Sequence, residues 1–172
     1  MSEFGSKKSK QSPSLKALAL RLLSLREYSR KTLAAKLRES EARWVKLDAE
    51  QINQNPQATI LSIEAVLDDF EARGWLSDDR FAEALVRRRS ERYGARKISD
   101  ELGRAGVNSE QVAKLIGTLK ETEFQRAYEL WSRKYGQKAL DQKERARQYR
   151  FLASKGFSSD IVAKIIGGQS PA

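Results

Sequence analysis

The chain has 172 residues, 40% hydrophobic and 33% charged, with a formal net charge of +10, a soluble, helix-rich balance that suits one domain or an array of small ones. It contains neither histidine nor cysteine, which excludes histidine general bases, cysteine nucleophiles, disulfides and Cys/His zinc sites. No apolar run approaches the ~18 residues that cross a bilayer, and a cysteine-free chain is compatible with a reducing cytoplasm, so a cytoplasmic, non-membrane protein is expected.

The excess charge is unevenly placed. Residues 1–79 are nearly neutral, and nine of the ten excess positive charges lie after residue 79. A basic C-terminal half faces nucleic acid or an acidic protein surface; the plain alternative is a solvated basic exterior.

At the N-terminus, Met1 to Lys16 carries lysines but no hydrophobic stretch before a cleavage site, so it is not a secretory signal. It reads as a disordered basic tail, residues 1–14, ahead of the first folded element. Apolar periodicity then predicts helices over roughly 15–27, 29–44 and 58–73, with boundaries good to a few residues. The polar segment QINQNPQ around Gln51 to Gln57, with Pro56, predicts a surface loop near 48–57. Further helices are expected over roughly 77–93, 95–105, 109–119, 121–135, 141–155 and 159–167, with a flexible tail at 169–172. No strand-like alternation occurs.

These nine segments are three copies of one unit. Gly106-Val107-Asn108-Ser109-Glu110-Gln111-Val112-Ala113-Lys114-Leu115-Ile116-Gly117 recurs fifty positions later, from Gly156 to Gly167, with seven of twelve residues identical. Gly74-Trp75-Leu76-Ser77-Asp78 is a weaker echo. The shared string is glycine, bulky apolar, any residue, serine, acid, and it describes a helix-to-helix corner. Glycine takes the left-handed conformation past one helix end. Trp75, Val107 or Phe157 packs back, and Ser77, Ser109 or Ser159 caps the next helix, with an acid in its first turn. A second correspondence, Ser90 to Gly94 with Ser132 to Gly136, closes the first helix of each unit. Each unit is therefore a long helix, a second helix, a glycine corner and a shorter third helix: 15–76, 77–119 and 120–168.

Along the helix beginning near Glu121, Phe124, Tyr128, Trp131 and Tyr135 fall within about 60° of one another, with Arg126 and Arg133 opposite. Such a stripe is core, not a base-stacking platform. Transferred by forty-two positions, it places Arg89 where the third unit has Trp131, so Arg89 must lay its methylenes on the core edge and send its guanidinium to an acid or a partner. Asp68 and Asp69 are adjacent, about 100° apart on a helix, and Asp78 and Asp79 belong to a helix start. Without a histidine or a Gly-rich phosphate loop, these acids do not compose a catalytic or metal site. No enzyme activity, cofactor or metal is expected.

The corner Gly74-Trp75-Leu76-Ser77-Asp78-Asp79-Arg80-Phe81-Ala82 resembles the signature of the RecX family, bacterial regulators of the recombinase RecA. So do Tyr28-Ser29-Arg30-Lys31-Thr32-Leu33 and the closing Lys155-Gly156-Phe157-Ser158-Ser159-Asp160-Ile161. The closing string departs from the family in having Ser154-Lys155 where arginine is common. The resemblance spans about Leu15 to Gly167 and implies an all-α fold of three tandem three-helix, helix-turn-helix-like repeats in an elongated, curved array. It also implies a function: binding RecA and the RecA–single-stranded DNA filament, most simply as a monomer, and inhibiting filament growth, ATP hydrolysis and strand exchange.

Candidate contacts are Arg87, Arg88, Arg92, Arg96, Lys97, Lys134, Lys138, Arg145, Arg147 and Arg150. Each alone reads as a solvated helix charge; together they point to a basic face. The alternative is a helix-turn-helix-type DNA-binding protein. Its third helices would begin Ser109-Glu110-Gln111 and Ser159-Asp160-Ile161, where a carboxylate repels phosphate and leaves little to read base edges. Any DNA binding is then weak, sequence-independent and salt-sensitive.

Overall fold

A computed structural model describes residues 14–47 and 56–171. Among the described residues the chain is all helical: α1 Leu15–Leu25, α2 Arg30–Leu47, α3 Pro56–Ala72, α4 Asp78–Arg89, α5 Ala95–Arg104, α6 Ser109–Glu121, α7 Glu123–Lys134, α8 Gln142–Ser154 and α9 Ser159–Ile166. The expected basic tail up to Gln11-Ser12-Pro13, and the polar loop from Asp48 to Asn55, lie outside the described residues. The chain forms two compact units that part between Leu76 and Ser77.

Three hydrophobic clusters organise these helices, each fed by three consecutive ones. The first buries Ala19 from α1, Leu33 and Leu37 from α2, and Ile63, Leu67 and Phe70 from α3. The second buries Ala82 and Leu85 from α4, Ile98 and Leu102 from α5, and Ile116 and Leu119 from α6. The third gathers Ala127 and Trp131 from α7, Leu152 from α8, and Val162, Ile165 and Ile166 from α9, with Phe124, Tyr128 and Tyr135 packed against it. The aromatic stripe of α7 is thus core, as its periodicity requires.

The glycine corners have the expected geometry. Gly74, Gly106 and Gly156 all have positive φ, at 71°, 80° and 86°. At the first corner, Trp75 N–H donates to the Phe70 carbonyl (2.8 Å) and Gly74 N–H to that of Glu71 (2.9 Å), a Schellman closure. Trp75 then turns edge-on to Phe70, with ring centroids 5.3 Å apart. Ser77 caps α4 by accepting from Arg80 N–H at 3.2 Å, with Asp78 and Asp79 in the first turn.

Four local expectations need correction. Ser109 and Ser159 are not caps: the α6 cap is Asn108, whose side chain accepts from Glu110 N–H at 2.8 Å, and the α9 cap is Ser158 with no side-chain bond. The hydrogen-bonding oxygen sits one residue earlier, and asparagine caps as well as serine. The third helix is shortest only in the last repeat; α3 has 17 residues against 11 in α1. Pro56 and Gln57 begin α3 rather than ending a loop, because proline lacks only an N–H that no helix start uses. The first glycine corner is also displaced: Gly74 follows α3 and leads into α4, rather than standing between the second and third helices of its repeat. Lys16 lies in α1, within the helix expected from about residue 15, behind the Ser14 cap, and pairs with Asp69 at 2.9 Å.

Candidate partner-binding surface

Within the first unit, cations meet anions. Arg30 reaches Glu64 (2.6 Å), Asp68 (2.7 Å) and Glu71 (2.6 Å). These three acids follow one another at i, i+4 and i+7 on α3, so one guanidinium neutralises a stripe. Burial works against the Arg30 charge, but the hydrogen bonds it donates to Glu64, Asp68 and Glu71 outweigh it and hold its pKa above the ordinary arginine value. Asp69 pairs with Lys16 and Arg73, and Lys36 with Glu39. Asp68 and Asp69, adjacent in sequence, are therefore engaged with different cations.

The second unit is different. Arg89 has the placement inferred from the repeat: its guanidinium meets Glu101 at 3.0 Å and lies over the Tyr93 ring. All ten candidate cations are exposed. None of them forms an ion pair with a described acid. An unpaired cation leaves its field directed outward, where a paired one cancels locally.

The ten do not share one strip. Arg145 and Arg147, two positions apart on α8, project about 160° from each other, whereas Arg147 and Arg150 lie about 60° apart. Arg87 and Arg88 end α4, Arg92 follows in the turn, Arg96 and Lys97 open α5, and Lys134 closes α7. Lys138, in the turn before α8, runs its side chain to Gly168.

Lys97 and Lys134 belong to one cluster, and their companions were not among the ten. Lys97 Nζ sits 4.7 Å from the Tyr93 ring centroid, and Lys155 Nζ sits 5.3 Å from the same ring. Lys155 is also 5.7 Å from the Phe151 ring, with Lys134 at 4.0 Å from it. Phe151 in turn meets Tyr135 edge-on at 5.6 Å. Lys155 shows in the sequence only as a departure from the resemblance. Tyr93 was visible only as part of a helix-closing string.

The cluster exists because the second and third repeats touch through backbone. Gly94 N–H donates to the Lys155 carbonyl at 2.9 Å. A Cβ on Gly94 would overlap the Gly156 carbonyl, and one on Gly156 would lie 2.5 Å from Lys97 Cβ. The first turn of α7 adds a clamp on three helix ends of the preceding repeat. Buried Glu123 accepts from Ala95 N–H at 2.9 Å, at the start of α5. Arg126 donates to the carbonyls of Ser90 (2.6 Å) and Tyr93 (2.9 Å) beyond α4, and to that of Leu119 (2.9 Å) near the end of α6. Anion at an N-terminus and cation at two C-termini both complement the helix dipoles. Burial lowers the Arg126 pKa while Glu123 opposes the shift.

Comparison with known proteins follows the same division into repeats. Residues 77–115 match the family model of the RecX second three-helix domain, and residues 121–166 that of the third. A regulatory protein RecX of Leptothrix cholodnii is 42% identical, the match covering 89% of this chain and 87% of that one. One from Ralstonia nicotianae is 37% identical, covering 92% and 90%. The crystal structure of RecX from Lactobacillus salivarius superposes with a TM-score of 0.64 over 89% of this chain and 92% of that one, at 19% identity.

Proposed function

Because the chain belongs to the RecX family, we propose that it acts without chemistry of its own, binding the RecA–single-stranded DNA filament and lowering filament growth, ATP hydrolysis and strand exchange. The observation that carries this reading is the set of ten exposed, unpaired cations in the second unit. Their field favours an extended acidic partner and speeds encounter with it. A repeat that presents similar charged helices more than once suits a partner that is itself repetitive.

The test is RecA assembly on single-stranded DNA, followed by light scattering, together with RecA-driven ATP hydrolysis. Added protein should slow both. Reversing the charge at Arg87, Arg88 and Arg92 together should weaken the effect while the melting transition stays in place. Unchanged RecA activity at saturating protein, or tight binding of one duplex sequence over all others, would overturn the proposal. Sequence-selective readout is disfavoured by Glu110 and Asp160 in the first turns of α6 and α9.

A further inference from the structure

We infer that the seam between the second and third repeats is a composite site for the phosphodiester backbone of a nucleic-acid strand, formed by Lys97, Lys134 and Lys155 over the rings of Tyr93 and Phe151. The inference rests on the filament-binding reading above, and adds which component of that filament this surface holds.

Three observations support it. First, the lysines are a connected row. Lys155 shares Tyr93 with Lys97 and Phe151 with Lys134, so each ammonium lies within about 10 Å of the next, a Debye length at moderate salt. Second, no described carboxylate pairs with any of the three. Like charges held this close raise one another's energy, and a bound anion relieves it. Third, the rings restrict where the ammonium groups go. A cation over an aromatic face is attracted to the ring quadrupole, which lowers the side-chain entropy lost on binding.

The chemistry of the row selects its ligand. A nucleic-acid strand carries closely and regularly spaced negative charge with no intervening cation. Folded protein surfaces intersperse both signs, as the paired face of α3 does here. The ammonium groups also occupy the faces on which a base would stack, so the seam holds phosphate and leaves the bases unread. Because Tyr93 and Lys97 come from one repeat and Lys134, Phe151 and Lys155 from the next, neither repeat carries the site alone. The Gly94–Gly156 contact assembles it.

The experiment measures binding of a fluorescein-labelled oligothymidylate to the full chain by anisotropy, across a series of salt concentrations and without RecA. The seam variant carries Lys97→Gln, Lys134→Gln and Lys155→Gln. The control removes the same charge elsewhere, by Arg87→Gln, Arg88→Gln and Arg92→Gln. The seam variant should bind about ten-fold more weakly at low salt, and its log K against log salt slope should flatten by about 2, the value for three phosphates released from a single strand. The control should lose less in both. A second pair, Tyr93→Leu and Phe151→Leu, keeps every charge and should weaken binding while leaving the slope near that of the parent.

Equal losses in seam and control variants would reduce the effect to net charge and overturn the inference. So would an acidic peptide competing as well as the oligothymidylate at equal charge. If the seam variant fails to fold, Lys155→Gln alone, at a half-exposed position, decides between the same outcomes. Parent protein that binds oligothymidylate through the seam yet leaves RecA untouched defeats the filament reading only. Protein that inhibits RecA while the seam variant binds oligothymidylate normally defeats the seam only.

Discussion

Gly94 packs against the backbone of Gly156 with no space for a side chain of its own, and a side chain on Gly156 would strike Lys97. The substitution Gly156→Ala carries two penalties: a left-handed φ of 86° and a Cβ 2.5 Å from that of Lys97. Gly94→Ala carries the second kind alone, against the Gly156 carbonyl. Each should destabilise the second unit by about 2–3 kcal/mol, in the range of overpacking and strained-backbone changes. Gly103 and Gly117 are the internal controls, since both are helical and nothing stands within 4 Å of a Cβ there. Alanine at either should stabilise by about 0.5–1 kcal/mol. Urea unfolding of the four variants gives the comparison, and a similar response at all four would contradict the close contact.

Arg126 donates to three carbonyls at helix ends, of which that of Leu119 also accepts from the Thr122 hydroxyl. Arg126→Ala leaves them without that donor in a half-buried setting, at a cost of about 2–4 kcal/mol. Arg126→Lys should recover only part of this, because an ammonium cannot fork between carbonyls that a guanidinium bridges. At Glu123, glutamine keeps an oxygen for Ala95 N–H and should cost less than alanine. Thermal melts of the four variants test the ordering; a lysine that restores full stability at position 126 would show the fork to be unnecessary.

The sequence made the helices legible because its local signals agree: apolar periodicity along the chain, and glycine corners with acidic first turns ahead of α4, α6 and α9. The clamp was not legible. On the α7 helical wheel Arg126 lies opposite the aromatic stripe and reads as solvent-facing. Its partners are carbonyls of residues thirty-six, thirty-three and seven positions earlier, and a backbone carbonyl leaves no mark in residue identity. The lysine–aromatic seam was hidden for a related reason. Tyr93 and Phe151 belong to different repeats, and only the glycine contact brings them under the same lysine. Arg89 was legible because both its core-edge position and its need for an acid followed from alignment with Trp131.

Capping register offers a sharper local test. The Asn108 side chain holds the Glu110 N–H, whereas Ser109 is the first residue of α6. Asn108→Ala should cost about 1 kcal/mol, the usual worth of a helix cap. Ser109→Ala should fall within about 0.5 kcal/mol of the parent, as surface changes away from special features do. Chemical denaturation resolves the two; the reverse order would return the cap to Ser109.

Acid should act first on the unit that contains α1 to α3. Asp69 is held below the ordinary carboxylate pKa by its hydrogen bond from Lys16 and then by that from Arg73. Glu39 is lowered by Lys36. A carboxyl whose pKa is lower folded than unfolded contributes stability that is complete above its unfolded value and disappears as pH falls through the folded one. The loss therefore lies below the normal range of aspartate and glutamate, around pH 4 and under. Glu39 is exposed and Asp69 partly so, so salt should shrink the effect, more at Glu39 than at Asp69. Tryptophan fluorescence separates the units once Trp131 is replaced by phenylalanine, leaving Trp44 and Trp75 as reporters of the first. Their signal should move as pH falls below the ordinary carboxylate range, and Lys16→Met should reduce that dependence. An unaltered pH profile in Lys16→Met would show that the Lys16–Asp69 pair contributes nothing in solution.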